Sequence, residues 1–120
     1  MHELSIAQNI VELVQRSVPE HEWEHVRAVR ITLGASAGVV ADSLQFSFEA
    51  ITAEHPLHAA HLEIESIPFR VHCTECGSIK ENEIGFMQCD ACGGSQTEVV
   101  SGTELNMTEI EIAEPKGTEI

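Results

Sequence analysis

Two short segments, Cys73-Thr-Glu-Cys76-Gly77 and Cys89-Asp-Ala-Cys92-Gly93, decide the organisation of this 120-residue chain. A gap of two residues lets both thiolates of a pair reach one tetrahedral ion, with Zn–S distances of about 2.3 Å. The glycine after each pair can adopt the left-handed conformation that turns backbone N–H groups toward the sulfurs. The matched pairs therefore predict one zinc ion, bound by Cys73, Cys76, Cys89 and Cys92.

Other uses of four cysteines fit this chain less well. Disulfides belong to secreted proteins, and the chain has no secretory signature. Iron is chemically possible with four thiolates, as in a rubredoxin-like carrier, but such a carrier would gain little from the rest of the chain. A catalytic zinc needs an open coordination position, which four thiolates do not leave. His72 precedes Cys73 and could compete as a ligand, although a histidine on a strand or linker often binds no metal.

Residues on both sides of the cysteine segment show regular periodicity. Leu4–Val18 carries apolar residues at helical spacing, with Leu4, Leu13 and the valines on one face, and Pro19 ends the pattern. A second helix begins near Asp42, which with Gln45 resembles a capping box, and it ends at His55-Pro56. Alternating residues predict three strands, listed here in order: Val26–Leu33, His61–Ile67 and Thr103–Ile112. The last strand changes phase near Glu109, as expected of a bulge or an edge strand.

This order predicts an α+β fold, an α/β sandwich in which two helices pack on a small three-stranded sheet. The last strand can join the first two only if the cysteine segment is an insertion, resembling a zinc ribbon. We therefore expect one domain from residues 1–68 and 102–113, a zinc-binding module at 69–101, and a frayed tail at 114–120.

The composition excludes several classes of protein. Six basic and twenty acidic residues give a net charge of -14, which opposes binding to nucleic acid, and 4% aromatic residues are too few for base stacking. No apolar run reaches the roughly 20 residues of a membrane span. The start, Met1-His2-Glu3, does not resemble a signal peptide, so a cytoplasmic protein is expected. No catalytic pattern stands out, so we do not expect an enzyme.

The first residues offer a second candidate metal site. A histidine at position two places three nitrogen donors together: the terminal amine, the His2 backbone nitrogen and the His2 imidazole. Such a set suits Ni(II) or Cu(II) better than zinc. The alternative is that His2 is simply a polar residue near a terminus. Three further histidines, His55, His58 and His61, are expected in a solvated loop because Pro56 interrupts any helix there.

These motifs together resemble the HypA/HybF family of nickel chaperones for [NiFe]-hydrogenase maturation. The resemblance rests on Met1-His2-Glu3-Leu4-Ser5, the paired cysteine motifs and the closing segment Ser101-Gly102-Thr103-Glu104-Leu105. It implies that the first domain binds nickel and that the protein delivers nickel without catalysis. The alternative function, without nickel, is a zinc-ribbon adaptor or a nucleic-acid-binding protein.

The resemblance also implies roles for individual residues. His2 would be the essential nickel ligand beside the Met1 amine, and Glu3 would be a ligand or would orient the imidazole. Asp42 lies where an acidic residue of the family can approach the nickel, although the capping role explains it equally well. The implied partners are a HypB-type nickel-binding GTPase and the large subunit of a [NiFe]-hydrogenase, with neither nucleic acid nor membrane involved.

Overall fold

The structure is a computed structural model that describes residues 2–82 and 85–113. Its elements, in order, are α1 (Glu3–Ser17), a 3₁₀ helix (Glu20–His25), β1 (Val26–Gly34), α2 (Ala41–Thr52), β2 (His61–Ile67), β3 (Phe69–Cys73), β4 (Ile79–Asn82), β5 (Thr97–Ser101) and β6 (Leu105–Ile112). The predicted α+β class is confirmed, with two helices, a three-stranded sheet and a separate cysteine module. The frayed tail predicted at 114–120 lies outside the described residues.

The first helix is amphipathic, as the sequence predicts, although its buried face differs in part from the apolar face that the sequence predicts. Its buried residues are Ile6, Ala7, Ile10, Val11 and Val14. Leu4 and Leu13, which we expected on that stripe, are exposed. The helix ends where Val18 turns to an extended conformation ahead of Pro19. The stripe packs against α2, where Leu44 and Phe48 are fully buried.

The second helix begins two residues earlier than the capping-box pattern indicates, at Ala41 rather than at residue 43. Val40 is the N-cap residue, in an extended conformation, and its carbonyl accepts the Leu44 N–H at 3.0 Å. Asp42 is therefore inside the first turn, where a carboxylate is favoured by the helix dipole, and no side chain of this helix caps it. The interpretation of Asp42 as N-cap, with Gln45 completing a capping box, is wrong.

A 3₁₀ helix and an aromatic contact were not predicted. The Trp23 indole donates to the Val18 carbonyl at 2.8 Å, and its ring centroid lies 6.2 Å from that of His55. The Leu57 N–H donates to His55 Nδ1 at 3.1 Å. His55 is consequently half-buried and packed, so the expectation of a solvated residue is wrong for it, whereas His58 and His61 are exposed.

The first sheet has the strand order β2-β1-β6, which places β1 at its centre. Leu105 and Met107 of β6 are half-buried, as are Ile110 and Ile112, so the phase change predicted near Glu109 is present, on an edge strand. On one face the Arg30 guanidinium bonds three carboxylates at 2.7 to 2.9 Å, one from β2 and two from β6: Glu63, Glu109 and Glu111. These bonds raise the pKa of Arg30.

The second sheet, β4-β3-β5, is antiparallel and adjoins the cysteines. Phe69, Val71 and Cys73 alternate along its central strand as buried residues. The register between β3 and β5 shifts after Arg70, which pairs with Ser101 while Val71 pairs with Val99. The shift leaves Val100 as an extra residue on an edge strand.

The chain divides into two compact units. One, called here the helical unit, comprises Met1–Ile31, Val39–Ile64 and Met107–Ile120; the other, the cysteine unit, comprises Thr32–Gly38 and Glu65–Asn106. The domain boundaries expected from the sequence remain a prediction. No helix in the described part of the chain is long and apolar enough to cross a membrane.

Within the cysteine unit, a group of bonds that we call the clamp ties together the residues that enter and leave the second sheet. Backbone N–H groups donate across it at 2.7 to 2.9 Å: Gly34 to Glu104, Ala35 to Ile67 and Ser36 to Gly102. The Ser101 hydroxyl donates to the Pro68 carbonyl at 2.7 Å. Gly102 has φ +107°, and a Cβ built on it would lie 2.4 Å from Phe69 Cα, so this crossing requires glycine.

Candidate metal sites

The four cysteines predicted to bind zinc converge in the cysteine unit. Their Sγ atoms all lie within 4.8 Å of one another, and two contacts of 3.6 Å join the pairs, Cys73 with Cys92 and Cys76 with Cys89. A disulfide would require about 2.05 Å, and all four cysteines are free. Cys73 and Cys89 are buried, whereas Cys76 and Cys92 are exposed.

The two cysteine pairs have the same backbone geometry. The glycine after each pair donates its N–H to the carbonyl of the first cysteine at 2.8 Å, Gly77 to Cys73 and Gly93 to Cys89. Both glycines have positive φ, 78° and 74°, as the sequence predicts. The Cys73 and Cys89 N–H groups in turn donate 2.9 Å bonds to the carbonyls of Ser78 and Gly94. The same loop therefore presents the two sulfurs of each pair, and the four sulfurs lie within 4.8 Å of one another.

Hydrogen bonds from neighbouring groups and between the thiols shift the pKa values of Cys76 and Cys92 in opposite directions. The Ser78 hydroxyl and backbone N–H donate to Cys76 and lower the pKa of that thiol to about 6. At Cys92 the Gly94 N–H acts to lower the pKa, but hydrogen bonding with Cys73 and Cys89 raises it to about 12. The thiols thus share protons that a metal ion would displace, because metal-bound cysteines are thiolates.

The arrangement fits zinc. A tetrahedron with Zn–S bonds of about 2.3 Å has sulfurs about 3.8 Å apart, close to the 3.6 Å of the two cross-pair contacts. Among the described residues, this is the one group of three or more histidine, cysteine or acidic side chains that converges as a metal site. His72 lies in β3 but is not a member of the group.

The candidate nickel residues lie where the two helices of the helical unit begin. His2 is the N-cap of α1, and its carbonyl accepts the Ile6 N–H at 3.2 Å. The Glu3 carboxylate accepts the N–H of Val40, the N-cap of α2, at 3.1 Å. This bond is the largest cause of a lowered pKa at Glu3. Asp42 follows two residues later in the first turn of α2. Met1 lies outside the described residues.

Side-chain donors of His2, Glu3 and Asp42 do not converge as the cysteines do. What the structure brings together is the backbone that carries them, because the bond from Val40 to Glu3 holds the two helix starts side by side. Sequence reasoning missed Val40, since a contact across 37 residues leaves no local pattern. It also missed Ser78, although a hydroxyl two residues after Cys76 is a recognisable sulfur donor.

Known proteins resemble this chain over nearly its whole length. Residues 1–112 match the family described as hydrogenase/urease nickel incorporation, metallochaperone, hypA. The protein named hydrogenase maturation factor HypA from Geobacter metallireducens is 41% identical over 112 residues, which cover 93% of this chain and 99% of that protein. The protein of the same name from Chloroflexus aggregans is 38% identical over 112 residues, which cover 92% of this chain and 98% of that protein.

A solved structure has the same fold. The solution structure of the Ni metallochaperone HypA from Helicobacter pylori superposes with a TM-score of 0.62 at 18% identity and covers 93% of this chain and 97% of that one. At this identity the likeness concerns the fold alone. The sequence matches carry the assignment, and by them the chain belongs to the HypA family.

Proposed function

We propose that this protein is a nickel metallochaperone that binds Ni(II) at its N-terminus and delivers it during maturation of a [NiFe]-hydrogenase. Membership of a family described by nickel incorporation supports this function, as do relatives named as hydrogenase maturation factors. The structural observation that carries it is the bond of Glu3 to Val40, which fixes the first turn of α1 beside the acidic first turn of α2.

The nickel ligands in this proposal are His2 and the nitrogen atoms around it. The imidazole of His2, its backbone nitrogen and the Met1 amine form a compact nitrogen set of the kind that Ni(II) prefers. Glu3 keeps the peptide that carries His2 in place, since its carboxylate accepts the Val40 N–H. Asp42 is a further candidate ligand from the first turn of α2.

Zinc has a separate, structural role. Four thiolates leave no open coordination position, so a zinc ion at Cys73, Cys76, Cys89 and Cys92 would stabilise the cysteine unit without taking part in chemistry. The core of that unit is small, and a metal supplies stability that so few buried side chains cannot. Nickel delivery requires only binding and ligand exchange, so the protein acts without catalytic turnover.

Delivery requires other proteins. We propose a HypB-type nickel-binding GTPase and the hydrogenase large subunit as partners, in the cytoplasm, where free thiols persist. A net charge of -14 favours partners with basic surfaces. The same charge disfavours the alternative, a zinc-ribbon adaptor for nucleic acid, because such binding depends on Lys and Arg displacing counterions. Salt-sensitive binding to DNA or RNA would support that alternative.

The decisive experiment is a nickel titration of three proteins: the parent with its native start at Met1, His2→Ala, and a version with residues added before Met1. Zinc content is measured in the same samples. We expect the parent to bind nickel, both variants to lose that binding, and all three to retain about one zinc per chain. Nickel binding by His2→Ala that equals the parent's would remove the central residue from the proposal.

A further inference from the structure

Three large apolar side chains are exposed at the starts, or within the first two turns, of α1 and α2, the helices that carry the candidate nickel residues. Phe46 of α2 is 72% exposed, Val40 60% and Leu4 51%. A single exposed apolar residue is common in proteins. Two of these three, however, lie beside a candidate nickel residue. Leu4 follows Glu3 in the chain, and the N–H of Val40 donates to the Glu3 carboxylate.

The position of Phe46 on α2 connects it to the same site. Phe46 lies four residues after Asp42 and three before Glu49, so the three side chains share one face of the helix, with neighbouring Cβ atoms about 5–6 Å apart. The core face is different, because Leu44 and Phe48 are fully buried. Phe46 therefore adds nothing to the core of the helical unit, and its ring is available to another molecule.

The charges around these side chains have one sign. Helix α2 contains Asp42 and Glu49 but no basic residue, and Glu3 is the one charged residue in the first two turns of α1. Three of the six basic residues, Arg16, Arg30 and Arg70, are already paired with glutamates elsewhere. A complementary surface would present an apolar pocket for the phenyl ring, edged by Lys or Arg.

We propose that Phe46, Leu4 and Val40 form the docking surface for the nickel-binding GTPase that exchanges nickel with this chain, and that this GTPase presents an apolar pocket edged by basic side chains. The inference rests on the proposed function, because metal passes between two proteins only when ligands of both reach the same ion. The exchanging protein must therefore cover the starts of α1 and α2. Phe46, one helical turn from Asp42, is buried by such a contact.

Binding of the purified HypB-type GTPase from the same organism tests this surface. The variants are Phe46→Ala and Glu49→Lys, with Leu13→Ala and Glu20→Lys as matched controls. Leu13 is 42% exposed on α1 and lies about 15 Å along the helix from Glu3. Glu20 is an exposed acid of the 3₁₀ helix. The hydrogenase large subunit is the second probe.

We expect Phe46→Ala to weaken binding of the GTPase about tenfold, since aromatic anchors contribute most at interfaces. Glu49→Lys should slow association and reduce its dependence on salt, and the control variants should bind as the parent does. Binding of the GTPase by Phe46→Ala that equals the parent's would overturn the proposal, even if binding of the large subunit fell, because the surface would then belong to that other protein. So would self-association that the parent shows and Phe46→Ala loses, because the surface would then pair two copies of this chain.

A nickel titration of the same variants separates this inference from the function on which it rests. Phe46→Ala should bind nickel as tightly as the parent, because Phe46 is not a ligand, and should differ only in transfer to the probe. If the parent binds no nickel while Phe46→Ala still loses the probe, the docking surface stands and the proposed function fails. If nickel binding is intact and docking is unchanged, only the docking surface fails.

Discussion

The carboxylate of Glu3 accepts the backbone N–H of Val40 at 3.1 Å, so a residue of α1 completes the start of α2. In a capping box, the third residue of a helix reaches back to the N–H of its own N-cap. In this protein the acceptor comes from another helix, 37 residues away. The candidate nickel residues and the start of α2 are consequently mechanically connected.

The Glu3–Val40 bond should depend on pH. The pKa of Glu3 is lowered from the ordinary value of 4.5 by the Val40 N–H, so the stabilisation is complete above 4.5 and is lost as the pH falls through the lower, folded pKa. We expect the Val40 amide resonance to shift in that acidic range in the metal-free protein. Glu3→Gln should remove the titration while keeping an acceptor oxygen. An unchanged Val40 titration in Glu3→Gln would contradict the assignment of this bond.

Removal of zinc should unfold the cysteine unit first. Treatment with a chelator, or Cys73→Ser, leaves unpaired thiolates or thiols where four sulfurs lie within 4.8 Å, and the loops of both pairs lose their common ligand. Hydrogen exchange of β3, β4 and β5 amides should accelerate strongly, with a smaller effect on α1. His72→Ala is the control and should retain zinc. Loss of zinc in that variant would make His72 a ligand.

Two glycines of the cysteine unit should differ sharply in their tolerance of a methyl group. Gly38 has φ +78°, with nothing within 4 Å of the position that a Cβ would occupy, so Gly38→Ala should destabilise the protein by about 1 kcal/mol through backbone strain alone. Gly102→Ala adds a clash with the Phe69 backbone and should cost about 3 kcal/mol or more. Urea unfolding measures both, and equal midpoints would contradict the close approach at Gly102.

Arg30 should matter more than an ordinary surface arginine. Replacing it with Gln leaves three carboxylates, Glu63, Glu109 and Glu111, without their shared cation. Arg16→Gln is the control, because Arg16 has one exposed partner, Glu12, at 3.7 Å. The urea midpoint should fall further for Arg30→Gln, and the difference should shrink in about 1 M salt, where the Debye length is about 3 Å. Equal midpoints in both variants would show that the cluster contributes nothing.

Local sequence patterns were sufficient for the parts of the fold that depend on near neighbours. The alternation in His61–Ile67 predicts a strand with those bounds, and the phase change in β6 is visible as the out-of-step pairs Leu105/Met107 and Ile110/Ile112. The left-handed glycines, Gly77 and Gly93, follow from the motif in which they lie. Each of these features depends on residues within a few positions of one another.

Contacts between distant residues account for what the sequence did not reveal. The pattern Asp42-x-x-Gln45 predicts the N-terminal cap of α2 at Asp42. In the structure the Glu3 carboxylate accepts the N–H of Val40, which is the N-cap, and α2 begins at Ala41. His55 gains its environment from Trp23, which lies far before it in the chain. Strand β3 could have been found from the alternation of Phe69, Val71 and Cys73. The edge strands β4 and β5, with four and five residues, carry too little pattern.

The clamp and zinc binding should be coupled. Because Pro68 and Ser101 are bonded at its base, the chain between them is a loop that the clamp and the zinc ion close together. The entropy of loop closure, which grows with loop length, is therefore offset by hydrogen bonds at Gly34 and Gly102 as well as by the ion. Thermodynamic linkage makes the relation reciprocal, so weakening the clamp lowers zinc affinity and zinc in turn strengthens the clamp.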